Sequence, residues 1–383
     1  MPTPDLTSML RGLIETPSIS STNPELDQSN QPVIEHLANW LEDTDFTVRQ
    51  LPVPGHPGKM NLIATLGQGE AGLVLAGHSD TVPFDEYRWQ HNPFKLTEKE
   101  GRLYGLGTSD MKSFLALAIE AAKTFDAAKF KHPLIILATA DEETSMSGAV
   151  ALCASDLSGA RYAVIGEPTG LKPINLHKGI LMEAISLRGQ SGHSSDPSLG
   201  NNALEGMTAV MTELIQWRKE LQQQNQNPAF AVPVPTLNLG HIHGGDNPNR
   251  ICAECELHID LRPLPGMSIE HLRKEIHQRV LDIAGKLKLQ ATFNPLFAGI
   301  EAMQTDASSP IVKTCEQLTN AKAGSVAFGT EGPYLKQFGI DTLILGPGDI
   351  GQAHQPDEYL SLDRIPPTIE ILKNLIQKFC VEE

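Results

Sequence analysis

The sequence predicts an α/β protein in which a mainly parallel sheet is interrupted by an inserted ferredoxin-like domain. Short apolar runs alternate with amphipathic helical segments over residues 1–179, an alternation typical of parallel sheets with helices on both faces. Between residues 180 and 292 the order becomes β-α-β-β-α-β, which is that of a ferredoxin-like unit. The α/β pattern then resumes over 293–383, so the first domain is predicted to be discontinuous, with 180–292 inserted into it.

The elements of the first domain follow from the spacing of apolar residues. Short apolar runs that end at glycine or at turn residues predict buried strands. Met111, Phe114, Leu115 and Ala118 repeat at helical spacing after Asp110, whose carboxylate is favoured at the start of a helix. In chain order the segments are the helix and strand of "EHLANWLEDTDFTVRQL", the strands "NLIATLG" and "GLVLAGHSD", the helix "SDMKSFLALAIEAAKTF", and the strands "HPLIILATADEETS" and "RYAVIGEPTG".

The inserted domain is predicted from four strand segments and two long amphipathic helices. Its elements in order are the strand "ILMEAISLRG", the helix "NNALEGMTAVMTELIQWRKELQQ", the strands "TLNLGHIHG" and "RICAECELHIDLRP", the helix "SIEHLRKEIHQRVLDIAGKL" and the strand "LQATFN". The first domain then continues with "IVKTCEQLTNA", the strand "DTLILGPGD" and the final helix "IPPTIEILKNLIQKF".

The composition of the chain limits which binding partners and which cellular compartment we expect. The 383 residues carry a formal net charge of -16, which disfavours nucleic acid and anionic membrane surfaces. The five cysteines are scattered, and the first residues lack the apolar core of a signal peptide. No apolar stretch reaches the roughly 18 residues of a membrane-spanning helix. We therefore expect a cytoplasmic protein whose partner is a small molecule or a second copy of the chain.

Several apolar runs end in residues that can bind a metal ion. Since the carboxyl ends of parallel strands meet at one edge of a sheet, these residues are expected to lie together there. A single acid or histidine in such a place is more often a turn or cap residue, but four sets together with Asp110 predict a metal site. The four sets are His78, Asp141–Glu143, Glu167 and His354.

Histidine and carboxylate ligands without cysteine suit Zn²⁺, or a neighbouring ion such as Co²⁺ or Mn²⁺. Two histidines and three carboxylates hold two ions if one carboxylate bridges them. Because residues i and i+2 face the same way in extended chain, we expect the Asp80 carboxylate to accept a hydrogen bond from His78 and orient its ring. Two ions lower the pKa of a bound water and polarise a carbonyl. A spare carboxylate, Glu142 or Glu143, then moves the proton.

Two other functions fit the sequence less well. The stretch "GPGDIG" matches a dinucleotide-binding pattern, but the "QAHQP" that follows has no helical period, so a nucleotide site is not expected. A metal-binding scaffold without activity has no need of a spare carboxylate beside the ligands. Hydrolysis of any N-acyl substrate would exclude such a scaffold.

The motifs resemble those of the two-zinc exopeptidase and deacylase family, which includes aminoacylases, desuccinylases and carboxypeptidases. The resemblance covers essentially the whole chain and implies a zinc-exopeptidase-like catalytic domain, with 180–292 as a lid or dimerisation domain. It implies two Zn²⁺ per subunit, for which Co²⁺ can substitute, and a homodimer. The motifs are "GHSDTVP", "GLGTSDMK", "ATADEETSMSGA", "IGEPT", "GQSGHSSDP", "NRICAECELHIDLRPLPGM" and "GPGDIGQAHQPDEYL".

The resemblance also implies a role for each site residue. His78 and Glu167 are expected to bind one zinc ion. Glu143 and His354 are expected to bind the other, with Asp110 bridging the two. Glu142 then becomes the general base and acid, with Asp80 as the partner of His78. In the family, the histidine matching His193 comes from the second domain, reaches the active site of the other subunit in dimers, and stabilises the tetrahedral oxyanion.

Within the family, the resemblance implies N2-acetyl-L-ornithine as the substrate. Hydroxide held between the two ions would attack the acetyl carbonyl, giving ornithine for arginine synthesis, and acetate. Asn249, Arg250 and Glu331 are the expected substrate contacts, with Arg250 on the α-carboxylate and Glu331 on the side-chain ammonium. A surface ion pair remains the alternative for Arg250. Other N-acyl amino acids, succinylated diamines and dipeptides remain alternative substrates.

Overall fold

The computed structural model describes residues 3–382, and these divide into two compact units. The first unit contains residues 3–175, 305–324 and 330–382, and the second contains residues 176–304 and 325–329. The second unit thus extends past the predicted 180–292 on both sides. The reason is a pair of short segments, around residues 176–177 and 303–304, which pair with each other as antiparallel strands.

Nine α-helices and sixteen β-strands are present in the described residues. They are α1 Leu6–Ile14, α2 Gln31–Glu42, β1 Thr47–Pro52, β2 Met60–Leu66, β3 Gly72–His78, β4 Thr97–Lys99, β5 Arg102–Tyr104, α3 Lys112–Ala122, β6 Leu134–Thr139, α4 Ser147–Ala151, β7 Ala160–Pro168, β8 Ile174–His177, β9 Leu181–Arg188, α5 Ala203–Gln224, β10 Thr236–Gly244, β11 Glu254–Arg262, α6 Ile269–Lys286, β12 Gln290–Pro295, β13 Met303–Gln304, α7 Pro310–Thr319, β14 Gly324–Val326, α8 Gly332–Lys336, β15 Asp341–Gly346, β16 Tyr359–Ser361 and α9 Ile365–Ile376.

The first unit is built on a sheet with the strand order β1-β2-β6-β3-β7-β15. β3 runs parallel to both β6 and β7, and β15 runs parallel to β7. β1 and β2 are antiparallel to each other, and β2 is antiparallel to β6. The prediction of a mainly parallel sheet is confirmed. The four parallel strands are β3, β6, β7 and β15, and their carboxyl ends lie at one edge of the sheet. Polar residues lie at the ends of β3, β6 and β7.

The central strands and helices of the first unit are almost entirely apolar. Every residue of β3 and β6 is buried, as expected for strands covered on both faces. α3 is buried nearly all round, with Phe114 and Leu117 at 1% and 0% exposure. α3 begins at Lys112 and has no side-chain cap at Met111. The predicted cap at Asp110 is therefore wrong, because that carboxylate turns towards His78 instead.

The second unit contains a four-stranded antiparallel sheet in the order β10-β11-β9-β12. Along the chain its elements run β9-α5-β10-β11-α6-β12, which confirms the predicted ferredoxin-like unit. α5 and α6 pack their apolar faces on the sheet around Trp217, Leu257 and Ile276. Among residues 3–382, no helix combines the length and the hydropathy needed to span a membrane.

Candidate metal centre

Ligand-type side chains of the first unit converge where the parallel strands end. His78 is the last residue of β3, and Glu167 lies one residue before the end of β7. Glu143 is in the loop after β6, Asp110 lies just before α3, and His354 lies between β15 and β16. The strand order places β3 between β6 and β7, so residues far apart in the sequence become neighbours.

The two carboxylate oxygens of Asp110 face different histidines. Oδ1 lies 3.2 Å from Nε2 of His78, and Oδ2 lies 3.6 Å from Nε2 of His354. Nε2 of His354 is also 3.0 Å from Glu143 Oε2, and Nε2 of His78 is 4.0 Å from Glu167 Oε1. Asp110 therefore stands between a His78–Glu167 pair and a His354–Glu143 pair.

The donor set and its burial fit divalent cations. His78, Asp110 and Glu143 each offer an atom within 4.8 Å of the others, and so do His78, Glu142 and Glu167. His78 is 0% exposed and Glu167 is 5% exposed. Oε1 of Glu167 has no hydrogen-bond partner among the described residues. Buried carboxylates this close together require positive charge to offset the loss of water and their mutual repulsion.

The protonation of the centre follows from its burial and its crowding. Burial raises the pKa of Glu142 well above its usual range, and the charge of Glu167 raises it further. Burial and the charge of Asp110 raise the pKa of Glu167 in the same way. The hydrogen bond to Glu143 raises the pKa of His354 to about 9. Without cations, these carboxylates therefore hold protons more tightly than free carboxylates do.

Asp80 lies beside His78, but its contacts differ from the prediction. Nδ1 of His78 is 3.1 Å from the backbone carbonyl oxygen of Asp80 and 3.6 Å from its Oδ1. The Asp80 carboxylate accepts the backbone N–H groups of Glu142 and Glu143, at 3.3 and 3.2 Å. The predicted hydrogen bond from the ring thus runs to the carbonyl, because the carboxylate is engaged by the loop that carries the two glutamates.

Asp141 is not one of the converging side chains, although the sequence placed it among the potential ligands. Its carboxylate contacts Nζ of Lys59 at 2.8 Å and the hydroxyls of Ser20 and Ser147. Its backbone φ of 57° is in the left-handed region. Asp141 is therefore a buried anchor of the loop rather than a ligand.

Three predicted residues belong to the second unit. His193 and Arg250 are paired in an isolated antiparallel bridge, and Asn249 accepts the backbone N–H of Ser194 through its carbonyl oxygen at 3.0 Å. Nδ1 of His193 accepts the backbone N–H of Ser195 at 3.2 Å, which leaves the proton of the neutral ring on Nε2. The Arg250 guanidinium pairs with the carboxylate of Asp246 and is about half exposed, which is the arrangement of a surface ion pair.

Glu331, the predicted contact for the substrate ammonium, is a buried carboxylate of the first unit. It lies just before α8 and is 2% exposed. Its Oε1 has no hydrogen-bond partner among the described residues. Burial raises the pKa of Glu331 to about 7. A buried carboxylate with one oxygen free of hydrogen bonds is suited to receive a cationic group.

Glu358 is a functional residue that sequence reasoning missed. Its buried carboxylate accepts the backbone N–H groups of Gly107, Ser109 and Asp110, at 3.0, 2.6 and 2.9 Å. The chain segment that carries His354 therefore also holds the turn that carries Asp110. The only sequence signal was an acidic residue in "HQPDEY", which a surface position would explain equally well.

These features agree with comparison to known proteins, and the chain belongs to Peptidase family M20/M25/M40, whose family model matches residues 74–378. The fold is shared with a family M20 metallo-carboxypeptidase of Sulfolobus solfataricus, at 16% identity and a TM-score of 0.75, over 98% of this chain and 99% of that one. A dinuclear metal binding peptidase of the M20 family from Bacillus subtilis has 15% identity and a TM-score of 0.64, over 97% of both chains.

Two relatives in sequence are much more similar. Acetylornithine deacetylase of Proteus mirabilis (strain HI4320) is 49% identical over 384 aligned residues, covering 99% of this chain and 98% of that protein. Acetylornithine deacetylase of Edwardsiella ictaluri (strain 93-146) is 50% identical over 377 residues, covering 98% of each.

Proposed function

We propose that this protein hydrolyses N2-acetyl-L-ornithine to L-ornithine and acetate. The observation that carries the proposal is the carboxylate of Asp110 between His78 and His354. Glu142 lies beside this carboxylate, with a side-chain oxygen within 4.8 Å of ligand-type atoms of His78 and Glu167. The substrate follows from two acetylornithine deacetylases, 49% and 50% identical over nearly the whole chain. The buried, unpartnered oxygen of Glu331 favours a substrate with a cationic side chain.

The proposed cofactors are two zinc ions, with cobalt as a competent substitute. His78 and Glu167 would hold one ion, Glu143 and His354 the other, and Asp110 both. When bound, such ions polarise the scissile carbonyl and lower the pKa of water. The chemistry of the donor set supports this assignment, because it contains only imidazole and carboxylate groups and one buried carboxylate oxygen without a partner.

Glu142 is proposed as the group that moves the proton. Its side chain lies within the cluster, and its backbone N–H is fixed on the Asp80 carboxylate. Burial raises its pKa, and a carboxylate of raised pKa is the better acceptor for a proton from water. Glu142 would then deliver this proton to the departing α-amine of ornithine.

The second unit is proposed to act as a lid or dimerisation domain. His193 would stabilise the tetrahedral oxyanion, and its available Nε2–H supports that role. Asn249 and Arg250 would contact the substrate, with Arg250 exchanging Asp246 for the α-carboxylate. We further propose a homodimer in the cytoplasm, and the five unpaired cysteines are consistent with a reducing compartment.

The experiment that tests the proposal is steady-state hydrolysis of N2-acetyl-L-ornithine by zinc-loaded and chelator-treated protein, with Glu142→Ala as the control. We expect turnover that depends on metal and is abolished in the variant. If zinc binds but acetylornithine is not hydrolysed, the substrate assignment is wrong. A panel of other N-acetyl amino acids, succinylated diamines and dipeptides then separates the alternatives.

A further inference from the structure

A buried ion pair between Lys59 and Asp141 lies behind the loop that carries Glu142 and Glu143. The side chains of Lys59 and Asp141 are 4% and 5% exposed. Nζ of Lys59 contacts three oxygens, namely Asp141 Oδ1 at 2.8 Å, Asp27 Oδ1 at 2.7 Å and the carbonyl of Gln28 at 2.8 Å. An ammonium has three N–H groups, so every donor of Lys59 is used.

The carboxylate of Asp141 is satisfied as completely as the ammonium. Besides Lys59, its Oδ1 accepts the hydroxyl of Ser20 at 3.0 Å, and its Oδ2 accepts the hydroxyl of Ser147 at 2.7 Å. Its backbone carbonyl accepts the N–H groups of Ser145 and Met146, at 3.1 and 2.7 Å. Asp141 is therefore fixed by its side chain and by its backbone, at a φ in the left-handed region.

The next two residues are fixed from the opposite side. The backbone N–H groups of Glu142 and Glu143 donate to the Asp80 carboxylate. The loop is thus held through two buried carboxylates. That of Asp80 accepts the loop amides, and that of Asp141 is itself part of the loop. Reactive groups need placement to within a fraction of an ångström, and a displacement of about 1 Å costs on the order of 100-fold in rate.

We propose that the Lys59–Asp141 pair is a positioning device for Glu142 and Glu143. It ties the loop to the segment 20–28 of the chain, in which no metal-binding, catalytic or substrate-binding residue is proposed. Burying two charges is a poor way to gain stability, because apolar residues of similar volume do as well or better. The Lys59–Asp141 pair is instead explained by geometry, because a fully hydrogen-bonded ion pair fixes the position of the adjacent residues Glu142 and Glu143. The inference rests on the proposed roles of Glu142 and Glu143.

The test is Lys59→Met, which removes the ammonium and keeps most of the apolar stem. We expect kcat on N2-acetyl-L-ornithine to fall about 10- to 100-fold at saturating zinc, with KM changed by less than about threefold. We also expect zinc titration calorimetry to show one of two sites weakened by about tenfold or more, as when the support of a ligand is removed. A variant with wild-type zinc affinity and kcat would overturn the proposal.

Arg273→Met is the matched control, because Arg273 forms an ion pair with the buried carboxylate of Glu183 in the second unit, with Nε 2.9 Å from Oε2. Both variants remove the cationic side chain from a buried carboxylate, leaving Asp141 with the hydroxyls of Ser20 and Ser147 and Glu183 with the ring of His277. Both should therefore unfold at lower denaturant concentration. Only Lys59→Met should change kcat and zinc affinity. Equal effects of the two variants on kcat would overturn the proposal.

The double variant Lys59→Met/Asp141→Asn separates positioning from stability. Removing both charges should restore stability relative to Lys59→Met, whereas kcat should stay low because the links through the ammonium to Asp27 and Gln28 are still missing. Recovery of kcat together with stability would overturn the proposal. If Lys59→Met does not fold, Ser147→Ala removes one uncharged donor to Asp141, and we expect a loss of about 3- to 10-fold in kcat from the missing hydrogen bond. An unchanged kcat would again be contrary to the proposal.

Zinc calorimetry needs no substrate, so it distinguishes the two ways of failing. If the wild-type protein binds zinc but does not hydrolyse acetylornithine, the substrate proposal fails. The effect of Lys59→Met on zinc affinity still decides the role of the ion pair.

Discussion

Oε1 of Glu358 accepts the backbone N–H of Asp110 at 2.9 Å, in a turn that the same carboxylate also binds at Gly107 and Ser109. Glu358 is 1% exposed. Because Asp110 faces both His78 and His354, any shift of this turn moves the carboxylate that stands between them.

Replacing Glu358 by Ala should therefore weaken metal binding without removing any ligand. We expect about 10- to 100-fold lower zinc affinity, the range typical of lost groups that support ligands, measured by calorimetry. Glu358→Gln, which keeps one acceptor oxygen, should lose less. Glu183→Gln is the control for a buried carboxylate in the second unit, and zinc affinity that falls equally there would contradict the assignment.

Glu142 and Glu143 can be distinguished by removing the charge of each. Glu142→Gln should keep two zinc ions and lower kcat by about 10²- to 10⁴-fold, the usual contribution of a general base. Glu143→Gln should lower the zinc content as well. Because Glu142 also lies within ligand distance of His78 and Glu167, loss of one zinc ion from Glu142→Gln would instead make it a ligand. Zinc content is measured by elemental analysis beside the kinetics.

Glu331→Gln tests the proposed contact with the substrate ammonium. A hydrogen bond to a charged group contributes about 1.5–3 kcal/mol, so kcat/KM for N2-acetyl-L-ornithine should fall about 10- to 100-fold. Activity on an uncharged analogue such as N-acetylnorvaline should change little, because that side chain makes no ion pair. The ratio of the two kcat/KM values is the measurement. A parallel loss on both substrates would assign Glu331 to the chemistry rather than to selection of the side chain.

His177 should make the second unit sensitive to acid. Burial lowers the pKa of His177 to about 4, below the ordinary value of about 6.5. Its Nδ1–H donates to the carbonyl of Lys178 at 2.8 Å, and its Nε2 has no partner among the described residues. As the pH falls, the unfolded chain therefore binds a proton on His177 at a higher pH than the folded protein does. The stability from neutral His177 is complete above about pH 6.5 and is lost as the pH falls towards about 4.

The shift corresponds to about 2 kcal/mol of lost unfolding free energy between pH 7.5 and pH 5. His177→Phe should abolish that part of the pH dependence, although it loses one hydrogen bond at every pH. Urea unfolding of the second unit can be followed through Trp217, which is 1% exposed, with Trp40 and Trp89 replaced by Phe in both proteins. An identical pH dependence with and without His177 would exclude its titration as the cause.

The sequence predicted the parallel strands and the residues after them because one physical rule connects the two. Apolar runs of strand length identify the buried strands, and parallel pairing puts their ends together. That rule alone predicted four sets, namely His78, Asp141–Glu143, Glu167 and His354. The choice of Glu143 as a ligand and the pairing about Asp110 came from the family resemblance. The second unit was also predictable, since its two helices and four strands each have a clear apolar period.

The contacts that were missed involve backbone groups, which a sequence does not display. The carboxylate of Asp80 accepts hydrogen bonds from two backbone N–H groups of the loop, and that of Glu358 accepts three from backbone N–H groups. Asp141 looked like a ligand because it follows a strand, and only its left-handed backbone turns it towards Lys59. The ends of the second unit were missed because β13 is two residues long, too short for a periodic pattern.

The division of the first unit between two distant stretches of chain has a consequence for biosynthesis. His354 and Glu358 reach the sheet only after the whole second unit has been made. A nascent chain that ends near residue 329 holds Glu142 and Glu143, yet it lacks both the second histidine, His354, and Glu358, which supports Asp110. Domains fold as they leave the ribosome at about 5–20 residues per second, so the second unit can fold while the first is still unfinished. Metal capture at this centre is therefore expected to follow translation rather than to guide it.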